Sequence, residues 1–192
     1  AGGIVGECYV RSSDEHKKDI NYCYNVGTIE SGGYTGGIAG YYGDFGQVNQ
    51  CVNKGEIKGG KYTGGIVGTT DLRLLSYCYN SGRVIQQTNT NYAAGGIAGF
   101  SDDEIEYCFN SGEVTSLEYA GGIVGYTADY VAYCGNVGNV TGIMRVGGII
   151  GNRTGVVGTG SVENCYNHGD IKGNDKVGGI AGSIYVRVKN CY

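Results

Sequence analysis

The sequence predicts an all-β chain wound as a parallel β-solenoid of about six to seven coils, with 26 to 34 residues in each coil. Three observations carry that prediction. One phrase recurs throughout: C-x-N-x-G-x-[I/V], a short polar spacer, then G-G-I-[A/V/I]-G. No segment sustains apolar residues at i, i+3, i+4 and i+7, and glycine interrupts every possible helix. The short runs between glycines are rich in Tyr, Val, Ile and Thr, which suit a pleated, half-buried surface. A fixed period of this size marks a stacked array, in which each unit buries its apolar face only against its neighbours.

The first full unit shows how the elements are assigned. A strand is expected around Tyr22-Cys23-Tyr24-Asn25, a second around Thr28-Ile29-Glu30 and a third over Tyr34-Thr35-Gly36-Gly37-Ile38-Ala39. The third carries two adjacent apolar side chains at Ile38 and Ala39, so a bend that turns both inward is expected there. The phrase returns from Cys51, Cys78, Cys108, Cys134 and Cys165, with glycine blocks from Gly64, Gly95, Gly121, Gly147 and Gly178. A further block opens at Gly2, and the chain closes on Cys191-Tyr192. Residues 1–192 therefore read as a single array, expected to be a fragment of a longer protein. About six coils stacked at roughly 4.8 Å give a rod about 30 Å long. Length varies mainly between the glycine block and the next Cys, which places surface loops at that corner. The longest insert runs from Arg11 to Asp19, the second from Asn152 to Gly160, and the unit at Arg83-Val84-Ile85-Gln86-Gln87 carries extra residues elsewhere.

Variation between units separates inside from outside. Cys and Asn recur in every full unit, whereas the position between them holds Tyr24, Val52, Tyr79, Phe109, Gly135 and Tyr166. A packed slot does not accept Phe and Gly alike. Cys and Asn are thus expected to face inward, with Asn capping the turn and hydrogen-bonding along the stack. Gly27, Gly55, Gly82, Gly112, Gly138 and Gly169 are expected to supply a positive φ at that corner.

Composition excludes several function classes. Glycine is abundant, at 39 residues, and proline is absent, so the chain is neither collagen-like nor a proline-rich linker. A net charge of −4 without basic clusters argues against nucleic acid. No apolar run approaches a membrane span. Seven of the eight cysteines share one slot, unlike the close pairs of a zinc site or the irregular spacing of a disulfide framework. Parallel Cβ vectors in a stack hold neighbouring Cβ atoms too far apart for good disulfide geometry. A ladder of free thiols acting as small hydrophobes is expected, with Cys8 outside it.

Few residues suggest chemistry. His168 fills a variable turn slot. His16, among Asp14, Glu15 and Asp19, could join a metal site but reads better as a solvated loop. Ser101-Asp102-Asp103-Glu104 is rich in oxygen yet lacks calcium-loop spacing. The Gly-Gly-Ile-Val-Gly block has neither G-K-[S/T] nor a following helix, so no phosphate loop is read. No catalytic residues, cofactor or metal site are expected. The aromatic residues beside the ladder Cys are the candidate interaction surface: Tyr22, Tyr77, Tyr107 and Tyr133 before it, Tyr24, Tyr79, Phe109 and Tyr166 after it. By alternation both sets should face away from Cys as one ribbon of rings, either a platform for a glycan or protein partner or a stabilising stack between coils.

The motifs at Cys23 to Gly40 and Cys165 to Gly182 resemble the GLUG motif, a glycine-rich repeat of large bacterial surface proteins. Those include adhesin-like proteins and the non-catalytic part of immunoglobulin-A-cleaving metallopeptidases. The resemblance covers nearly the whole chain and implies an extracellular bacterial repeat region at the cell surface or secreted, flanked by other domains of its own chain. It transfers no catalytic residue, since the H-E-x-x-H zinc helix is absent. A structural or adhesive segment is therefore the expected function, a stalk or a glycan- or protein-binding rod rather than an enzyme. The alternative is a polysaccharide-processing β-helix enzyme, which needs clustered acids on one face.

Overall fold

The chain is described by a computed structural model over residues 1–8, 19–43, 46–71, 74–88, 92–102, 104–127, 130–153 and 160–192. It is a parallel β-solenoid, and each coil contributes one short strand to each of five sheets. The coil around Cys78 illustrates the order. Leu74–Ser76 belongs to sheet 1, Tyr79–Asn80 to sheet 2, Val84–Gln86 to sheet 3, Ala93–Gly95 to sheet 4 and Ala98–Ser101 to sheet 5. Among the described residues, sheets 1 and 5 contain seven strands and the other three contain six. Every pairing is parallel and in phase with the repeat, as in Asn53↔Asn80↔Asn110 and Gly64↔Gly95↔Gly121.

The expected first and third strands are each broken in two. At the first break the residue before Cys takes a left-handed backbone, with φ 51° to 57° at Tyr22, Gln50, Tyr77, Tyr107, Tyr133, Asn164 and Asn190. This corner separates sheet 1 from sheet 2. The third strand bends at Gly37–Ile38, and both Ile38 and Ala39 are fully buried, as their adjacency predicts. The bend is tight: a Cβ on Gly36 meets the Ala39 carbonyl oxygen at 2.1 Å. The Arg11–Asp19 and Asn152–Gly160 inserts lie largely outside the described residues, as do His16, Asp14, Glu15 and Asp103.

The interior holds two apolar compartments. The larger stacks Val48, Leu75, Ile105 and Val131 against the inward cysteines and the rows of Ile38 and Ala39. Cys51, Cys78, Cys108, Cys134 and Cys165 are buried, Cys23 and Cys191 half-buried, and all eight cysteines, Cys8 included, are unbridged. Each ladder thiol from Cys51 to Cys191 leans on the carbonyl two residues before it, as Cys78 does on Ser76 at 3.2 Å. Burial in such a core disfavours the thiolate. Contact with the next thiol and burial raise Cys51 and Cys165, and burial followed by neighbouring thiols raises Cys108. The smaller compartment contains Val84, Ala94, Val114, Ala120, Val140 and Val146.

A column of asparagines accompanies these compartments. Asn80 Nδ2 donates to Asn110 Oδ1 at 2.8 Å and to the Gly82 carbonyl at 2.9 Å. Its Oδ1 accepts from Asn53 Nδ2 at 2.7 Å and from the Gly82 N–H at 3.2 Å. Two donors and two acceptors are thus satisfied within the fold, which is the full capacity of an amide. The pattern repeats from Asn25 to Asn167. Across the core, the second glycine of each pair makes room for it: a Cβ on Gly96 lands 2.3 Å from Asn110 Cγ.

The turn glycines have a different reason from the one expected. None of Gly27, Gly55, Gly82, Gly112, Gly138 or Gly169 has a positive φ. Instead they stack directly, and a Cβ on Gly82 meets the Gly55 carbonyl oxygen at 1.9 Å. From Gly55 to Gly169 they are required by proximity between coils rather than by local conformation, while Gly27, at the end of the stack, has room for a Cβ.

Candidate interaction surface

The left-handed corner fixes where the first set of rings points. Tyr77, Tyr107 and Tyr133 occupy it in three successive coils and remain 56%, 43% and 48% exposed. Their rings stack face to face, with centroids 4.9 Å apart at both steps and interplanar angles of 6° and 4°. A left-handed tyrosine is sterically disfavoured, by about 1 kcal/mol, whereas asparagine tolerates that region. Asn164 and Asn190 stand at the same corner in later coils, so the three tyrosines are not there for the backbone's sake.

The second set forms a separate row on sheet 2. Tyr79 and Phe109 stack at 5.7 Å, and Tyr166 stacks on Tyr192 at 5.8 Å. Gly135 lies between Phe109 and Tyr166 in register, and the Tyr166 ring covers it: a Cβ there sits 2.4 Å from that ring. The empty slot is thereby filled by its neighbour, and Phe109 reaches Tyr166 at 6.5 Å. Tyr22 is 77% exposed, and Tyr24 carries Lys54 Nζ over its ring at 5.4 Å. The single ribbon expected from alternation is therefore two rows, because the corner between them turns the chain before alternation can operate.

A third aromatic field escaped the sequence reading. Tyr34, Tyr62 and Tyr119 precede the glycine bend and Tyr41, Phe100 and Tyr126 follow it. The glycine-floored bend brings the two groups together, with Tyr34–Tyr41 at 6.0 Å, Tyr62–Phe100 at 5.1 Å and Tyr119–Tyr126 at 6.2 Å. Lys61 lies over Tyr34 at 5.5 Å, and Arg145 over Tyr119 at 5.0 Å. The available signal was the i, i+7 spacing of aromatics around two of the blocks, Tyr34 with Tyr41 and Tyr119 with Tyr126. Its meaning depended on knowing that the block folds back on itself.

Charge is distributed unevenly. On sheet 3, Glu56 pairs with Lys58 at 2.6 Å and Arg83 at 3.6 Å, and Arg83 Nε donates to Glu113 at 3.0 Å. On sheet 1, beside the stacked tyrosines, Glu104 and Glu106 have no ion-pair partner among the described residues. Burial, then Glu104, raises the Glu106 carboxyl above its ordinary range. Burial, then Tyr133, Tyr77 and Glu106, raises the Tyr107 phenol. His168 is exposed and meets Tyr166 and Tyr192 edge-on. Ser101 is buried. No group of three His, Cys, Asp or Glu that could hold a metal occurs among the described residues.

Residues 90–115, running from the insert through Cys108 and Asn110 to Thr115, match the family model of the GLUG motif. That one stretch of the array is what resembles the GLUG motif at the level of a family model. Its solenoid superposes on a Bacteroides ovatus protein, provisionally named an immunoglobulin A1 protease, with a TM-score of 0.66 and 23% identity. That alignment covers 97% of this chain and 66% of the other, so the chain spans slightly less than two thirds of that protein's length. At this identity the likeness concerns the fold. No curated protein matches the chain.

Proposed function

We propose that this GLUG array is a structural and adhesive segment of a bacterial surface or secreted protein, a rod that carries contact surfaces rather than a catalyst. The observation that carries the reading is the regularity of the coil. Five sheets and the asparagine column repeat in phase, so the polar groups that enter the interior are largely used in joining one coil to the next. Such a chain suits bearing load along its axis and displaying side chains at a fixed pitch. The likeness to a bacterial protein of the kind named above supports an extracellular setting. The exposed tyrosine corner supplies the candidate contact surface, for a glycan or a protein of a host or bacterial surface.

A panel of host and bacterial polysaccharides and surface proteins tests both halves. We expect no cleavage of any polysaccharide, and binding that weakens when Tyr77 and Tyr107 are both changed to Asn. Cleavage by the purified chain establishes the enzyme reading instead.

A further inference from the structure

We infer that the occupant of the tyrosine corner is a basic polypeptide segment, which offers Lys or Arg side chains to the phenol edges and to the carboxylates of Glu104 and Glu106. The inference rests on the contact role proposed above and names its chemistry.

Ring geometry comes first. A sugar stacks on an aromatic face, but in this row the faces are turned to each other, 4.9 Å apart and nearly parallel. What remains for a partner is the rim: C–H edges and phenol oxygens at coil spacing, capable of accepting hydrogen bonds. Charge complementarity comes second. Glu106 stands next to Tyr107 in sequence and Glu104 shares its strand. Both lack a cation among the described residues, while Glu56 and Glu113 on sheet 3 are held by Lys58 and Arg83. The chain is acidic overall, with a sequence pI near 5.1. Ammonium and guanidinium groups satisfy phenol oxygens and carboxylates together, and electrostatic complementarity speeds encounter with such a segment. Backbone conformation comes third. Tyrosine is retained at a left-handed corner where asparagine fits with less strain, in the coil that carries these carboxylates and in both coils beside it, as well as at Tyr22 in the first coil.

The test uses the whole chain, with fluorescence anisotropy of a labelled lysine-rich peptide and of its glutamine counterpart at low salt. Wild type should bind the lysine peptide and not the glutamine one, more weakly as salt rises. Glu104→Gln with Glu106→Gln should weaken binding about tenfold, and Tyr107→Asn several-fold, with melting curves unchanged. Glu30→Gln with Asp170→Asn removes the same charge elsewhere and should leave affinity within about twofold. Equal loss in that control, or no binding of the lysine peptide, overturns the inference, as does self-association of the chain through this face. An uncharged oligosaccharide bound through Tyr77 and Tyr107 overturns it while sustaining the contact role. Failure of every surface ligand to bind removes the contact role as well.

Discussion

Two corners of the same coil obey opposite rules. At the asparagine corner all six full units carry Asn with Gly two residues later. At the left-handed corner Tyr, Gln and Asn all serve. Both have a defined backbone, so conformation alone does not set tolerance. The asparagine side chain has another asparagine above and below it and a glycine across the core, and each contact fixes its shape. The tyrosine side chain leaves the fold, and the rings it stacks on are copies of itself. Invariance between units thus reports what a side chain is enclosed by.

The contrast breaks most directly at Asn110. Replacing it by Leu takes one of two hydrogen bonds from Asn80 Nδ2 and from Asn136 Oδ1, and removes the side-chain partner of both polar groups of Gly112. We expect a loss of about 4 kcal/mol in a denaturant titration. A loss below that of Phe109→Ser refutes the importance given to the column.

Gly96→Ala tests the other side of the same contact. Its Cβ meets the Gly122 carbonyl oxygen at 2.1 Å as well as Asn110, and backbone cannot step aside cheaply. A destabilisation of about 3 kcal/mol is expected in the same titration.

Tyr42→Phe sharpens the comparison from the opposite direction. This phenol is fully buried and, unlike the asparagines of the column, its oxygen has no hydrogen-bond partner among the described residues. Removing it should stabilise the chain by about 1 kcal/mol. Burial, then Cys8 and Asp19, raises the Tyr42 pKa to about 12 from 10.0. The unfolded chain therefore loses this proton at lower pH than the folded one, and stability falls as pH rises from 10 towards 12. The variant lacks that increment, so its melting temperature should decline less steeply over the same interval.

The smallest effects belong outside. Phe109→Ser removes contacts to both Tyr79 and Tyr166 and should cost about 1 kcal/mol. Tyr107→Asn exchanges stacking for an easier backbone and should change stability by less than about 0.5 kcal/mol. Thermal melts that rank Tyr107→Asn above Asn110→Leu overturn the inside–outside assignment.

Legibility followed the number of copies. The coil, the inward Cys and Asn, the bend at Gly37–Ile38 and the unbridged thiols could all be read, because repetition compares the same site under several substitutions. Gln86 could not. It closes the one lengthened unit by donating to the Gly60 carbonyl at 3.2 Å and accepting from Ser116 Oγ at 3.0 Å, and it occurs once. The candidate surface was half legible. Two aromatic sets were expected as one ribbon, and their arrangement was misjudged at Tyr22, Tyr77, Tyr107 and Tyr133, where alternation was carried through a corner.

The sequence by itself determined the architecture, because a period of apolar and glycine positions leaves stacking as the way to bury each unit's face. It also determined that the repeated Cys, Asn and glycine-block Ile enter the core. Only the tertiary structure decided why the glycines are there, since contact with the coil above or the strand across is not written in local order. Only it decided that the tyrosine faces are closed and their rims open, because ring orientation depends on the pitch between coils and the φ of one corner residue.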